Sequence, residues 1–421
     1  MAGNNNNYPI GNFKGRILLC LYPFPPLGGP RSFRWLNMTR ILSQRNWSID
    51  VLTIKPSPND SFYNQSLTKE LLPQIRIHRT FPGFYYSLFQ LKKRPSHGFP
   101  KTTIEWLPFG LRKGMNLVKT NHYQAIISSG LPFVGHLVGY FLKKKAQIPW
   151  IVDYGDPFAF NPMTSRLKRL IGGFIEKPML QKANGFIVPF EEMRQQFFKY
   201  YPFLKSISSA VIENGVPETF KKISPSSFNH KFMIFYTGSF YKGDLGLIPF
   251  FKALSLLKKD RNILDKLKVI IAGNTEKSCI LYSQELGLTP YINFLGHIPQ
   301  QTVFAILKGA TLNLLIGYKL SSYHFFPYKT YEYVASGRPI LAIKQSSKDL
   351  GADFIRKNNL GFVVSNQKEK IAESIHKLFA LWKENKLDYT FNTLPPEKFY
   401  WKTKGQQLEN FLLSVISANR S

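Results

Sequence analysis

From Arg16 onward, short apolar runs alternate with longer segments of helical period, and the alternation restarts once, after residue 230. No other feature narrows the fold as much. Runs such as 17–21 and 269–272 are apolar at consecutive positions, so both faces of each strand must be covered. Helices on either side of a parallel sheet provide that cover. Strands are predicted at 16–22, 49–54, 125–129, 150–154, 185–189 and 210–213, and again at 232–237, 268–272, 292–295, 312–316, 340–343 and 362–364. The expected fold is α/β: two Rossmann-like, doubly wound domains facing each other across a cleft, with ligands held beyond the carboxyl ends of the strands.

At 421 residues the chain is too long for one ordinary core, and two domains are the natural division. Residues 1–13, with Asn4 to Asn7 and little apolar pattern, read as a disordered tail. The N-terminal domain then spans 14–215, a Pro-, Ser- and Lys-rich linker 216–230, and the C-terminal domain 231–393. The end of the chain, 394–421, reads as a helix returning to the N-terminal domain, with Leu408, Phe411, Leu412 and Val415 on one side. In a helix over 31–45, Trp35, Met38 and Leu42 line one face, and Arg34, Arg40 and Arg45 are expected toward solvent.

The composition is 44% hydrophobic and 19% charged, which suits packed structure rather than disorder. The charge is +31, spread over both halves rather than held in a tail. Such a field attracts phosphate-bearing substrates, anionic lipid and nucleic acid alike. Nucleic acid is set aside, because no recognition helix, zinc spacing or RNP-like pattern accompanies the charge. Cys20 and Cys279 cannot build a disulfide framework and fit a reducing cytoplasm. No apolar run reaches the roughly 18 residues of a membrane span, so membrane contact is expected only at the surface. The stretch 81–115, aromatic and basic with Glu105 as its one acid, is a candidate for that contact with an anionic surface; an insertion packed on its own domain is the alternative.

Three segments carry chemistry. The first strand runs into Pro23-Phe24-Pro25-Pro26-Leu27-Gly28-Gly29-Pro30 before a helix, and Gly28 and Gly29 let backbone amides approach a phosphate or sugar. A simple tight turn explains the same residues. The second domain opens with a strand and Gly238-Ser239-Phe240-Tyr241-Lys242-Gly243, where Gly238 frees the backbone and Lys242 brings a point charge for a diphosphate. The third runs from Tyr328-Lys329-Thr330-Tyr331-Glu332 to Gly337-Arg338-Pro339, with Pro327 and Gly337 as helix punctuation. Lys329 and Glu332 are three apart and share a helix face: the lysine suits phosphate and the glutamate ribose hydroxyls, or the two form a surface ion pair.

The run from Asn293-Phe294-Leu295-Gly296 through 312–316 to Lys329-Thr330-Tyr331-Glu332-Tyr333-Val334-Ala335-Ser336-Gly337-Arg338-Pro339 resembles the donor half of retaining glycosyltransferase family 4, a GT-B family. In that family the glutamate matching Glu332 holds the nucleotide ribose. The first half is similar too: the Pro-rich Gly-Gly loop, Ser129-Gly130-Leu131-Pro132, His136, and Asp153-Tyr154-Gly155-Asp156-Pro157, which resembles a subgroup reading D-F-R-D-P-W. Glu213-Asn214-Gly215-Val216 resembles the family's interdomain N-G-V turn.

The resemblance implies transfer of a sugar from a nucleoside diphosphate to an acceptor hydroxyl with retention, in glycan or polysaccharide assembly, without a metal or other cofactor. It makes the N-terminal domain the acceptor side and the C-terminal domain the donor side. Gly28, Gly29, Gly238, Lys242, Tyr328, Lys329 and Glu332 become donor-binding candidates, Asp153 an acceptor contact, and His136 and Asp156 catalytic candidates. The acceptor is a glycan or a lipid-linked group. The chain departs from the pattern at His324, where the family's first glutamate stands, at Ser239 and Phe240 in the phosphate loop, and at Gly155 and Phe158. Those departures support an alternative: a GT-B protein that binds sugar nucleotide or glycan with impaired turnover.

Overall fold

The computed structural model describes residues 13–60, 62–91, 103–130, 132–161, 164–227, 230–238, 246–317, 326–394 and 396–420. All but the last residue of the expected tail, Lys242 and His324 lie outside them. By internal contacts the chain divides into two units, Met1–Asn214 with Trp401–Ser421, and Gly215–Tyr400.

Unit 1 holds strands β1 (Gly15–Leu21), β2 (Trp47–Ile54), β3 (Ile75–Thr80), β4 (Ala125–Ser129), β5 (Trp150–Asp153), β6 (Gly185–Val188) and β7 (Ser208–Val211). They form one parallel sheet in the order β3-β2-β1-β4-β5-β6-β7. Its helices are α1 (Pro30–Gln44), α2 (Phe84–Leu91), α3 (Trp106–Thr120), α4 (Val134–Ala146), α5 (Arg166–Leu180), α6 (Glu191–Tyr200) and the C-terminal helix Trp401–Ala418. Consecutive apolar positions do mark the central strands: β1, β2 and β4 are buried over almost their whole length. Strand β3 escapes that reading because Arg76 and His78 interrupt its apolar residues. Both side chains turn to Asp50 on β2, with Arg76 Nε at 3.1 Å and His78 Nε2 at 2.6 Å, while Arg16 Nε donates from 2.7 Å. Burial would raise the Asp50 carboxyl, but these partners hold it down at about 2.

The C-terminal helix packs on α1, where Gly405 sits so close to Ile41 that a Cβ would collide with it. Its Glu409 is buried and accepts from Lys14 Nζ (2.9 Å), Trp47 Nε1 (2.9 Å) and Arg45. The helix begins at Trp401; residues 396–399 form a separate 3₁₀ turn in unit 2.

Unit 2 holds β8 (Phe232–Thr237), β9 (Leu267–Ala272), β10 (Ile292–Gly296), β11 (Leu312–Ile316), β12 (Ile340–Lys344) and β13 (Gly361–Ser365), ordered β10-β9-β8-β11-β12-β13 and parallel. Its helices are α7 (Thr219–Lys222), α8 (Leu247–Leu256), α9 (Arg261–Leu264), α10 (Lys277–Glu285), α11 (Gln300–Gly309), α12 (Lys329–Ala335), α13 (Leu350–Lys357), α14 (Lys368–Lys383) and α15 (Leu387–Thr390). The strand pleat sorts β8 between two cores: Phe232, Ile234 and Tyr236 join α8 and α14 on one face, and Met233 and Phe235 join α11, α12 and α13 on the other.

The expected linker begins inside unit 2, where Val216 and Phe220 are buried; residues 228–229 lie outside the description. Val216 N donates to Phe399 O (2.7 Å), and buried Phe220 meets Phe304 edge-on at 4.6 Å. Proline and serine there mark irregular backbone rather than looseness. Strand order reverses between β1 and β4 and between β8 and β11, and the crevice at such a reversal is where an open parallel sheet accepts a ligand. Among the described residues no helix is long and apolar enough to cross a membrane.

Candidate functional site

In unit 2 the strands around the reversal end on bare backbone: Gly238 follows β8, Gly273 follows β9, Gly296 ends β10 and Gly317 follows β11. Gly238 (φ 148°) and Gly273 (φ 112°) adopt conformations that side chains disfavour, and a Cβ on Gly273 would strike the Gly238 backbone. Over this shelf stands α12. Lys329 Nζ donates to Tyr236 Oη (2.8 Å) and lies 4.1 Å from that ring's centroid. A Cβ at Gly238 would sit 2.7 Å from the ammonium, so the charge faces the glycine turn directly. Tyr333 Oη accepts from Thr237 N (3.0 Å), tying α12 to the end of β8.

Glu332 is 8% exposed, which corrects the surface-acid alternative. Burial raises its carboxyl to about 7, against a hydrogen bond with Gln300 and the charge of Lys329, both of which pull it back. The expected face-sharing of Lys329 and Glu332 therefore points inward, the lysine toward Tyr236 and the glutamate toward Gln300. Tyr328 is half-buried and donates its hydroxyl to Gly215 O (3.0 Å).

In unit 1 the reversal is filled with paired charge. Asp153, fully buried at the end of β5, accepts from Arg34 Nη2 (3.0 Å) and Nε (3.2 Å), Arg31 Nη1 (3.0 Å), Trp35 Nε1 (3.1 Å) and Ser129 Oγ (3.0 Å). Burial would raise its carboxyl; Arg34 and Arg31 outweigh that and hold it below the usual range. Its oxygens are thus enclosed, and what it presents toward a substrate is Arg31. Arg34 is buried rather than solvent-facing, because a helix covered on both sides can hold an arginine inward when a carboxylate meets it.

Gly155, where the similar subgroup has arginine, has a physical reason: a Cβ there would collide with the Arg31 guanidinium. The guanidinium at this spot comes from α1. Asp156 is half-buried, and burial raises its carboxyl while Arg31 opposes the rise. His136 is fully buried, stacked on Tyr154 with ring centroids 4.6 Å apart. Burial pushes its pKa down to about 3, so the ring is neutral at any ordinary pH and is no proton donor of the imidazolium kind. Trp150 Nε1 donates to Ser128 Oγ (2.8 Å), and the same hydroxyl shares a hydrogen bond with His136 Nδ1 (2.8 Å). His136 Nε2 is buried without a hydrogen-bond partner among the described residues, 2.7 Å from where a Cβ of Gly130 would be.

Gly28 N already donates to Phe62 O (2.7 Å), so the cradle expected of the paired glycines reduces to Gly29 (φ 99°), where nothing would meet a Cβ within 4 Å and α1 begins. Lys242 lies outside the described residues. Of the basic aromatic stretch 81–115, α2 exposes Phe84 (70%) and Leu88 (58%), and residues 92–102 lie outside the description. Arg31, Arg34, Tyr236 and Gln300 are the residues that sequence reasoning missed; the unexpected Gly155 was the one signal pointing at Arg31.

Residues 231–380 match the family model of glycosyl transferases group 1. The match covers the β8-to-α14 part of unit 2, including Gly238, Lys329 and Glu332. No curated protein matches the chain. Among solved structures, sucrose-phosphate synthase from Thermosynechococcus elongatus superposes with a TM-score of 0.67 at 17% identity, over 96% of this chain and 100% of that one. The Anabaena protein HepE in complex with UDP gives 0.66 at 15% identity, over 95% and 100%. A putative UDP-N-acetylglucosamine 2-epimerase from Listeria monocytogenes gives 0.58 at 10% identity, over 96% and 97%. The fold is that of the two-domain α/β GT-B glycosyltransferases, with parallel sheets of 7 and 6 strands.

Proposed function

We propose that the chain transfers a sugar from a nucleoside diphosphate to an acceptor hydroxyl, with retention and without a metal, in the assembly of a glycan or polysaccharide. One observation carries the reading: at the β8/β11 reversal, inside the segment that matches glycosyl transferases group 1, an ammonium faces a glycine turn and a buried carboxyl titrating near neutrality lies one helical turn away. Departure of a diphosphate builds negative charge on its oxygens and positive charge on the sugar ring. Lys329 and the glycine backbone suit the diphosphate, and Glu332 suits ribose hydroxyls, whose hydrogen bonds favour its ionised form.

On unit 1, the neutral His136 ring has an unpartnered Nε2 for a sugar hydroxyl, and Arg31, fixed by Asp153, is a cation that does not titrate. Asp156 is the carboxyl in reach of that arginine. Because Asp153 is enclosed by its donors, it is poorly suited to bind a metal with Asp156. The acceptor is a glycan or a lipid-linked group, met by a cytoplasmic protein at an anionic membrane surface.

The same fold serves a protein described as an epimerase, so the test must separate the reactions. Wild type and Lys329→Ala are incubated with a panel of nucleotide-sugars, beginning with uridine diphosphate sugars because HepE was determined with UDP. Released nucleoside diphosphate and isomerised sugar are both quantified. Acceptor-dependent release that falls at least tenfold in Lys329→Ala supports transfer. Isomerisation without release sinks it, and tight nucleotide binding without turnover assigns the chain to the impaired binding alternative.

A further inference from the structure

Helix α5 buries Met179 and Leu180 in its last turn, yet over its first three turns it sets an apolar stripe outward. Its inner face carries Gly172, Gly173 and Glu176, and its outer face Leu167 (67% exposed), Leu170 (57%), Ile171 (51%) and Phe174 (81%). Those outer positions follow the i, i+3, i+4, i+7 spacing of a single stripe, the pattern that ordinarily faces a core. Scattered apolar residues on a surface need no explanation, but a whole helical stripe turned outward does.

The inner face explains why the helix cannot simply be rolled over. Gly172 lets the chain at Phe158 and Ala159 approach, since a Cβ there would lie 3.0 Å from the Phe158 ring and 3.3 Å from Ala159 Cα. Glu176 accepts from Ala159 N (3.2 Å) and Tyr201 Oη (2.9 Å). Phe158 stacks on Phe133 at 4.1 Å, and Phe133 meets His136 edge-on at 5.6 Å. The outward stripe is therefore joined, through two packed rings, to the candidate site of unit 1.

Charge decides what the stripe fits. Arg166 and Lys177 are exposed on α5, Arg169 is half-buried, and the helix's one acid, Glu176, is turned inward. A second copy of this chain would set these cations against themselves on a protein of charge +31. An anionic bilayer offers both partners at once, an apolar boundary for the rings and aliphatic groups and phosphate for the cations.

We propose that α5 is an interfacial membrane anchor: its stripe of Leu167, Leu170, Ile171 and Phe174 enters the headgroup zone of an anionic bilayer and holds the His136 side of unit 1 at that surface. There it meets an acceptor carried on lipid. Only that last step rests on the sugar-transfer reading.

The full chain is sedimented with phosphatidylcholine vesicles with and without phosphatidylglycerol, at low and high salt and without substrate. Wild type partitions onto the anionic vesicles and less so as salt rises. Leu170→Ser with Phe174→Ser lowers partitioning tenfold or more, as roughly follows from losing two deeply inserted side chains. Leu170→Ile with Phe174→Leu retains it. The melting temperature and nucleoside diphosphate binding stay unchanged in both, because the altered residues are exposed and lie in unit 1.

Equal vesicle binding by wild type and the serine variant overturns the assignment of the anchor to α5. So does a wild type that ignores vesicles but sediments as a dimer which the serine variant loses, since the stripe is then covered by a second copy. Turnover separates the remaining claim. The serine variant should lose activity on an acceptor embedded in vesicles and keep it on a water-soluble one; equal loss on both removes the lipid-linked acceptor. If no nucleotide-sugar is turned over yet vesicle binding depends on the stripe, the sugar-transfer reading fails and the anchor stands.

Discussion

The two strand-order reversals have been furnished in opposite ways. Unit 1 packs its crevice with charge that is already hydrogen-bonded: Arg31 and Arg34 share the carboxylate of Asp153, and burial keeps His136 in its neutral form. Among the described residues, unit 2 lines its crevice with glycine backbone, an ammonium resting on a tyrosine ring, and a carboxyl whose pKa burial raises to about 7. The first is preorganised before any ligand arrives; the second is completed by one. On the proposed function, a substrate that brings its own phosphates and hydroxyls is assigned to the second, and a hydroxyl that only needs orienting to the first.

The largest effect should come from breaking the preorganised side. Asp153→Ala takes the carboxylate away from the buried Arg34 guanidinium, and a loss of about 3–5 kcal/mol in unfolding free energy is expected from denaturant titration. A loss below 1 kcal/mol would mean that unit 1 is as loosely arranged as unit 2.

Next come two pH slopes of opposite sign. Glu332 has a folded pKa near 7, above its unfolded value of 4.5, so the folded state holds the extra proton between them and stability falls as pH rises through that window. His136 has a folded pKa near 3, below its unfolded 6.5, so stability falls as pH drops from 6.5 toward 3. Each contributes a few kcal/mol at most, at about 1.4 kcal/mol per pKa unit. Unfolding of Glu332→Gln and His136→Gln across pH should flatten one slope each and leave the other; a shared response would erase the contrast.

Glu332→Gln should also weaken nucleoside diphosphate binding by about 1.5–3 kcal/mol, roughly tenfold to hundredfold. Binding to wild type near pH 7 should release protons as ribose hydroxyls favour the carboxylate, detectable by calorimetry in buffers of different ionisation enthalpy. No proton release and equal affinity would return Glu332 to a structural role. The smallest change in stability, about 1 kcal/mol, is expected for Gly155→Ala, because the flexible end of Arg31 can swing aside. Turnover should drop further than stability does, and Gly155→Arg combined with Arg31→Ala should recover part of it by returning a guanidinium to the same space.

Both sheets were readable in outline because a strand covered on two faces is written as consecutive apolar residues. Strand β3 was not, since its Arg76 and His78 look like solvent residues until Asp50 on the neighbouring strand is known. Arg34 misled for the same reason: a helical wheel turns every charge outward, and only a partner distant in sequence turns it in. Glu332 and Lys329 were visible as a motif, whereas the burial that sets the pKa of Glu332 depends on helices α11 and α12 meeting, which no local pattern encodes. The reading of 216–230 as a linker failed because composition reports irregular backbone and is silent on whether that backbone is packed.

The C-terminal helix gives unit 1 an unusual order of assembly. Its Glu409 supplies the acceptor for Lys14, Arg45 and Trp47, yet it leaves the ribosome only after the whole of unit 2. All of unit 2 emerges between those donors and their acceptor, so unit 2 has its whole sequence available for folding while unit 1 is still open. A chain stopped at residue 400 should carry a folded C-terminal half and an N-terminal half that proteases digest, and nascent chains arrested along the message should show protection appearing in that inverted order.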